Sequence, residues 1–196
     1  MKNKLIFLLL VGLLSYVSNS SAEKTILAGG CFWCMESDFE KLEGVKDVVS
    51  GFTGGTVKNS TYYGNHEGHY EAVEITYDQE KISYKDLLDY YWVNIDPFDA
   101  RGQFCDKGHS YLSAIFVANE KEKELAEQSR KKVAVQFPNK KVITPILNVS
   151  TFYPIKGKES FHQDYYIKSP IHYIYYRWSC GRDSRLKEIW GDKATD

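Results

Sequence analysis

The chain has 196 residues and a formal net charge of −1, with acidic and basic side chains interspersed. No basic stripe suggests nucleic acid and no acidic tract suggests a disordered tail, so no nucleic-acid partner is expected. The length is that of a single domain able to bury a sizeable core.

At the N-terminus, Lys2 and Lys4 precede an almost unbroken apolar run from Leu5 to Leu14, and Ser20-Ser21-Ala22 offers small residues to a signal peptidase. The pattern predicts a secretory signal peptide over 1–22 and a mature domain over 23–196. The apolar run is short for a bilayer span, so no membrane attachment is expected once it is removed. The expected localisation is exported, periplasmic or secreted. Four cysteines in an exported chain ordinarily mean two structural disulfides.

Thr25 to Ala28 reads as a strand and leads into Gly29-Gly30-Cys31-Phe32-Trp33-Cys34-Met35-Glu36. Phe32, Met35, Phe39 and Leu42 then recur at helical spacing, and Gly44 supplies the stop. Cys31 is thus predicted at a helix N-terminus, where unpaired N–H groups and the helix dipole favour the thiolate, which is the nucleophile. The two glycines allow a tight turn and the close approach of a ligand. Phe32 and Trp33 make the surroundings of the sulfur apolar. A C-x-x-C at such a turn argues that at least one cysteine pair does redox chemistry. The plainer alternative is a buried or disulfide-bonded pair.

Val45 to Phe52 reads as a strand, closed by Thr53-Gly54-Gly55, and a polar loop from Thr56 to Tyr70 holds Tyr62, Tyr63, His66 and His69. Glu71 to Tyr77 alternates, with Glu71, Val73, Ile75 and Tyr77 on one face. On a core face, the Glu71 carboxyl would keep its proton, because desolvation disfavours the anion. It could then donate that proton to a developing oxyanion. Alternation alone also allows a Glu71 at the strand end that faces solvent. Ser83-Tyr84-Lys85-Asp86 resembles a helix-start cap, for a helix through Leu87, Leu88, Tyr91 and Trp92 that stops near Pro97. The long loop from Asp96 to Tyr111 holds Cys105, Asp106 and Tyr111, and long loops inside compact domains are usually functional. Tyrosines such as Tyr62 and Tyr111 stabilise negative charge when aimed at an oxygen. Taken singly, each reads as a packing residue.

Ser113 to Ala118 is a short apolar strand, and Asn119 caps a charged amphipathic helix that ends before Pro138. Val142 to Val149 reads as a strand in which Pro145 marks an edge or a bulge. Phe161 to Ile167 reads as a short helix, and Tyr173 to Trp190 is an aromatic and then basic stretch holding Cys180-Gly181. This order predicts an α+β fold, most simply a ferredoxin-like two-layer α/β sandwich with a mixed sheet and a long C-terminal extension. His66 and His69 lack a second ligand pair at zinc spacing, and Cys105 and Cys180 stand singly, so no metal and no cofactor is expected.

Taken together, GCFW with its helix, GFTGG, TYY, GHYEAVEITYD and the IDP…CDKGHSYLSAIF block come in the order found in the A-type peptide methionine sulfoxide reductases, which the chain resembles from about Thr25 onward. The resemblance implies that Cys31 is the nucleophile and that Phe32 and Trp33 hold the S-methyl group of the substrate. It implies that Glu71 protonates the sulfoxide oxygen, that Tyr62 and Tyr111 hydrogen-bond it, and that Asp106 helps order the site. It further implies reduction of methionine S-sulfoxide through a Cys31 sulfenic acid, then a disulfide reset by a thioredoxin-like dithiol reductant. The substrates would be oxidised proteins or peptides. The family motif often has Gly where this chain has Cys34, which opens the electron path. Cys34, one helical turn from Cys31, is the first choice of resolving thiol. Cys180, which a flexible C-terminal segment could carry to the site, is second, and Cys105 third. Two other readings are a general thiol–disulfide oxidoreductase built on Cys31 and Cys34, and a binding module with two structural disulfides.

Overall fold

The computed structural model describes residues 22–194, so the expected signal peptide, apart from Ala22, lies outside the described residues. The first strand, β1 (Ala22–Gly29), alternates its side chains between two faces of a sheet. A short helix follows, α1 (Phe32–Phe39), and then the antiparallel pair β2 (Val45–Thr53) and β3 (Tyr70–Asp78). Helix α2 (Tyr84–Val93) starts at a full capping box, in which the Ser83 side chain accepts from the Asp86 N–H and the Asp86 side chain accepts from the Ser83 N–H. The loop after it folds into a two-stranded ribbon of β4 (Gly102–Gln103) and β5 (Asp106–Lys107). Next come β6 (Ser113–Val117), the Asn119-capped helix α3 (Glu120–Gln136), and two short strands, β7 (Ile146–Asn148) and β8 (Tyr153–Pro154). The chain closes with α4 (Tyr165–Lys168), α5 (Pro170–Ser179) and α6 (Arg182–Trp190).

The six main strands stand in the order β7-β6-β1-β3-β2-β8. The β6–β7 pair is parallel and the other neighbours are antiparallel, so the sheet is mixed. Leu27, Val73, Ile75, Ile115 and Val117 on one face meet Phe32, Met35 and Phe39 of α1, Leu87, Leu88 and Tyr91 of α2, and Ala126 and Val133 of α3. Each large side chain buried there adds roughly 1.5–3 kcal/mol. Ile26, Ala28, Tyr70, Ala72, Ala114 and Phe116 form a smaller cluster on the other face. The fold is therefore α+β, with a mixed six-stranded sheet and C-terminal helices.

Three local expectations are corrected. The strand expected over Val142 to Val149 is confined to Ile146–Asn148. Pro145 has no N–H to give the ladder, so at the sheet edge it joins only through its carbonyl, which accepts from the Ile115 N–H at 3.0 Å, and the strand runs on from Ile146. The helix expected over Phe161 to Ile167 is two pieces, a 3₁₀ turn over Gly157–His162 and then α4. Asp164 between them has φ of +53°, a left-handed conformation that no helix continues through. The C-terminal stretch is not a free arm. Two buried arginines tie it down: Arg177 pairs with Asp38 of α1 at 2.7 Å, and Arg182 donates to the Asn94 carbonyl at 2.7 Å and the Gly29 carbonyl at 3.3 Å.

Candidate active site

β1 ends at Gly29 and the chain turns at Gly30, whose φ is +87°. A Cβ on Gly30 would lie 2.6 Å from Cβ of Gln103, and one on Gly29 would lie 2.4 Å from Sδ of Met35. Only glycine fits either position, and the tight turn sets Cys31 as the residue that caps α1. The Phe32 N–H, an unpaired donor at the helix start, reaches across to Glu71 Oε2 at 3.2 Å. Glu71 stands on the helix-side face of β3, opposite Phe52, and is only 3 % exposed. That settles the choice left open by alternation: it is a core carboxyl. Burial, against the Phe32 hydrogen bond, pushes its pKa up to about 8.

The tyrosines arrive from separate loops. The Tyr62 and Tyr63 N–H groups donate to the two oxygens of Glu159, each at 2.9 Å, which anchors an otherwise polar loop. Tyr111 ends the 3₁₀ turn His109–Tyr111. Asp106 comes from β5, and the Tyr176 hydroxyl of α5 donates to its Oδ2 at 2.5 Å. Burial raises the Asp106 carboxyl, and the Tyr176 hydrogen bond opposes the shift. Cys31, Phe32, Trp33, Tyr62, Glu71, Asp106, Tyr111 and Tyr176 line one pocket of 270 Å³. Burial, with the Glu71 carboxyl next, raises the Tyr62 hydroxyl to about 12 and Tyr111 further, so both keep their protons and can donate.

The Cys31 thiol departs from expectation. The helix start alone would favour its thiolate, but burial pushes its pKa well up, and the neighbouring Cys34 and Glu71 push the same way. Only the Tyr176 hydroxyl opposes them. Desolvation outweighs the dipole here because the sulfur is enclosed, not at an exposed helix end. Cys34 moves the other way. The hydrogen bond from Cys31 lowers its pKa, burial resists, and the Arg182 and Arg177 charges assist. The two shifts run in opposite directions, so Cys34 gives up its proton more readily than Cys31.

Cys31 and Cys34 are free and buried, whereas Cys105 and Cys180 are joined as a disulfide. The sequence reading ranked Cys180 second and Cys105 third as resolving thiols. In this state neither has a thiol to offer, and Cys180 caps a packed helix rather than riding a loose arm.

Three participants escaped the sequence reading. Tyr176 lines the pocket and holds Asp106. His162 accepts from Trp33 Nε1 at 3.2 Å, and burial lowers its pKa, which keeps it a neutral acceptor. Tyr165 stacks on Trp33, with ring centroids 3.9 Å apart. Together they fix the plane of the indole that walls the pocket. Tyr176 lies in the aromatic stretch Tyr173 to Trp190, and His162 and Tyr165 lie in the segment Phe161 to Ile167 before it; the aromatic density of this C-terminal part was the one available signal.

The profile of the peptide methionine sulfoxide reductase family matches residues 23–194. The peptide methionine sulfoxide reductase MsrA 2 of Caulobacter vibrioides is 46% identical over 172 residues, covering 86% of each chain. The MsrA of Bacillus licheniformis is 46% identical over 175 residues, covering 87% of this chain and 95% of its own. Among solved structures, methionine sulfoxide reductase A of Corynebacterium diphtheriae superposes with a TM-score of 0.66 at 28% identity, over 76% of each chain. Mxr1 of Saccharomyces cerevisiae in its reduced form shares the fold, with a TM-score of 0.67 at 24% identity over 78% of this chain and 88% of its own. Mxr1 has also been solved in complex with Trx2. With a pocket that sets a thiol, a protonated carboxyl and two tyrosine donors around one small apolar cavity, the chain belongs to the MsrA-type peptide methionine sulfoxide reductase family and reduces methionine S-sulfoxide to methionine.

Proposed function

We propose that Cys31 is the nucleophile of this reduction, Glu71 its general acid and Cys34 its resolving thiol. The observation that carries the reading is the convergence of Cys31, Glu71, Tyr62 and Tyr111 on the same 270 Å³ cavity. Phe32 and Trp33 take the S-methyl group on their apolar faces. The sulfoxide oxygen, which carries the negative end of the S–O bond, meets Glu71 and the two tyrosine hydroxyls. Its hydrogen bond to the neutral Glu71 makes the sulfoxide sulfur more electrophilic. Cys31 Sγ attacks that sulfur and forms an Sγ–S bond as the oxygen takes the Glu71 proton; the thiol proton returns to the carboxylate, and the Sγ–S and S–O bonds then break as the hydroxyl passes to Sγ. Over the whole step the thiol and the sulfoxide become a sulfenic acid on Cys31 and a free thioether. The Cys34 sulfur then attacks the Cys31 sulfur, a disulfide forms and water leaves. Asp106 orders the site through Tyr176.

An external dithiol of the thioredoxin kind reopens the disulfide; the Mxr1 complex with Trx2 supports this choice of partner. The substrates are oxidised proteins and peptides, and the role is repair after oxidative damage. The strand order fourth-first-third-second among β1, β2, β3 and β6, with α1 and α2 as crossovers, supports the reading of the core as a ferredoxin-like two-layer sandwich. The apolar run from Leu5 to Leu14 supports export with a mature chain starting at Glu23, and among the described residues no helix is long and apolar enough to cross a membrane. Cell fractionation with N-terminal sequencing tests this; a cytoplasmic protein that retains Met1 would refute it.

The chemistry is tested with resolved epimers of N-acetylmethionine sulfoxide and dithiothreitol as reductant. Only the S epimer should be consumed, and Cys31→Ser should abolish turnover while the far-UV spectrum stays unchanged. Turnover by that variant near the wild-type rate would refute the assignment of the nucleophile.

A further inference from the structure

Helix α5 carries apolar side chains on both sides, and its inward side already packs Tyr173 and Tyr176 against Cys31, Cys34 and Trp33. Polar groups tie that side down as well: Arg177 pairs with Asp38 and Asp183 and donates to the Tyr173 hydroxyl at 3.0 Å. Its outward side carries Ile171, Ile174, Tyr175 and Trp178, which recur at three- and four-residue spacing and so share one face. These four side chains are between 65% and 81% exposed. A surface helix normally turns such a stripe to the core, and a contiguous exposed apolar patch marks an interaction site.

The patch adjoins the pocket. Tyr176, the neighbour of Tyr175 on the same helix, lines the cavity. Trp33, another wall of the cavity, is stacked on Tyr165, five residues before α5 begins. On the Tyr62 side of the pocket, Tyr63 and Phe161 form a second exposed aromatic shoulder, with ring centroids 6.5 Å apart. The cavity itself has room for one side chain and little more. Whatever surrounds a methionine sulfoxide in a polypeptide must therefore lie outside it, on these shoulders.

We propose that the outward face of α5 is a docking surface for the apolar residues that flank a methionine sulfoxide in an unfolded stretch of polypeptide. The proposal rests on the reading of the pocket as the sulfoxide site. Methionines of protein cores have apolar sequence neighbours, and those neighbours are free to bind only when the segment is unfolded. A helix is about 10–12 Å across, and an extended chain covers about 3.3–3.6 Å per residue. The path around the helix surface from the pocket side to the outward face is about 13–17 Å, so residues about four or five positions from the sulfoxide reach the α5 face while the sulfoxide sits beside Cys31.

The test uses the whole protein with dithiothreitol as reductant, so that reductant docking does not enter. Three substrates are compared: N-acetylmethionine S-sulfoxide, an unstructured peptide with leucines flanking the sulfoxide, and the same peptide with serines in their place. The wild type should show kcat/KM about tenfold higher for the leucine peptide than for the serine peptide, a gap equal to burial of one apolar side chain. The double variant Ile174→Ser with Trp178→Ser should lose that preference through KM and leave the small substrate unchanged. Equal rates on both peptides in the wild type, or equal losses on all three substrates in the variant, would overturn the docking surface. So would a wild-type dimer that the variant converts to monomer with the kinetics unchanged, which would assign the face to a second copy. A loss seen only when a protein dithiol replaces dithiothreitol would overturn it too, by giving the face to the reductant. Failure of the wild type to reduce even the small substrate would instead refute the reading of the pocket.

Discussion

Replacing Glu71 with Gln separates a proton donor from a hydrogen-bond donor. The carboxyl titrates at about 8 in its buried position. At pH 7 roughly nine-tenths of the molecules then carry the proton, and at pH 9 roughly one-tenth. The chemical step should accordingly be fast below pH 8 and fall about tenfold per unit above it, because the acid form is the active one. Gln keeps the acceptor for the Phe32 N–H and can still hydrogen-bond the sulfoxide oxygen, but it has no proton to give. Loss of a general acid costs on the order of 10²–10⁴ in rate. The alkaline limb should vanish with it. The residual rate of the variant should instead rise with pH, as the Cys31 thiol, held high by burial, begins to ionise. The assay is single-turnover release of methionine with enzyme in excess, followed by quenched flow from about pH 6 to about pH 10. A wild-type rate that stays flat through pH 8, or a Gln variant that keeps the same limb, would refute the reasoning.

Cys34→Ser should release one equivalent of methionine and stop, leaving a sulfenic acid that dimedone traps; continued fast turnover with a protein dithiol would show that another thiol resolves it. Replacing both Cys105 and Cys180 with Ser removes a bridge that spans 75 residues and should lower the unfolding free energy by about 4 kcal/mol on the chain-entropy account, read from urea curves. Unchanged curves would show that the bridge contributes nothing to stability. Glu36 of α1 is buried, and burial, against the Asp164 N–H bond, raises its carboxyl from 4.5 to about 8. The folded chain therefore holds a proton that the unfolded chain releases, a contribution complete below about pH 4.5 and lost as pH rises through about 8. Glu36→Gln should raise Tm at pH 8 and flatten its pH dependence; an equal or lower Tm at that pH would contradict the sign.

The Cys31 end of the site was readable as a place in the fold because its signals are local. Two glycines, a cysteine and a helical repeat lie within one stretch, and the strand-to-helix turn follows from them. Glu71 was readable as a position but not as a state, since alternation gives the face of a strand and not the depth of its cover. Tyr176, His162 and Tyr165 were not readable. Their placement depends on Arg177 and Arg182 docking the last helices against α1 and the Asn94 and Gly29 carbonyls, contacts across more than 80 residues that no local pattern encodes. The thiol acidity was misjudged for the same reason. The dipole argument uses only the helix, whereas the enclosure of Cys31 comes from loops and helices far along the chain.

The Cys105–Cys180 bridge has a consequence for how the molecule is made. Four cysteines admit three pairings, and only one of them joins neighbours in order of appearance: the first with the second and the third with the fourth. That arrangement gives the bridge in the structure, together with the pair one turn apart at the head of α1. If the chain is exported, as proposed, and oxidised while still being threaded across a membrane, it meets its thiols in that same order. Its first closure would then be the Cys31–Cys34 bond that the proposed catalytic cycle makes and reopens, and its second the Cys105–Cys180 bridge, next in sequence to Asp106. No crossed bridge has to be undone afterwards by slow reshuffling.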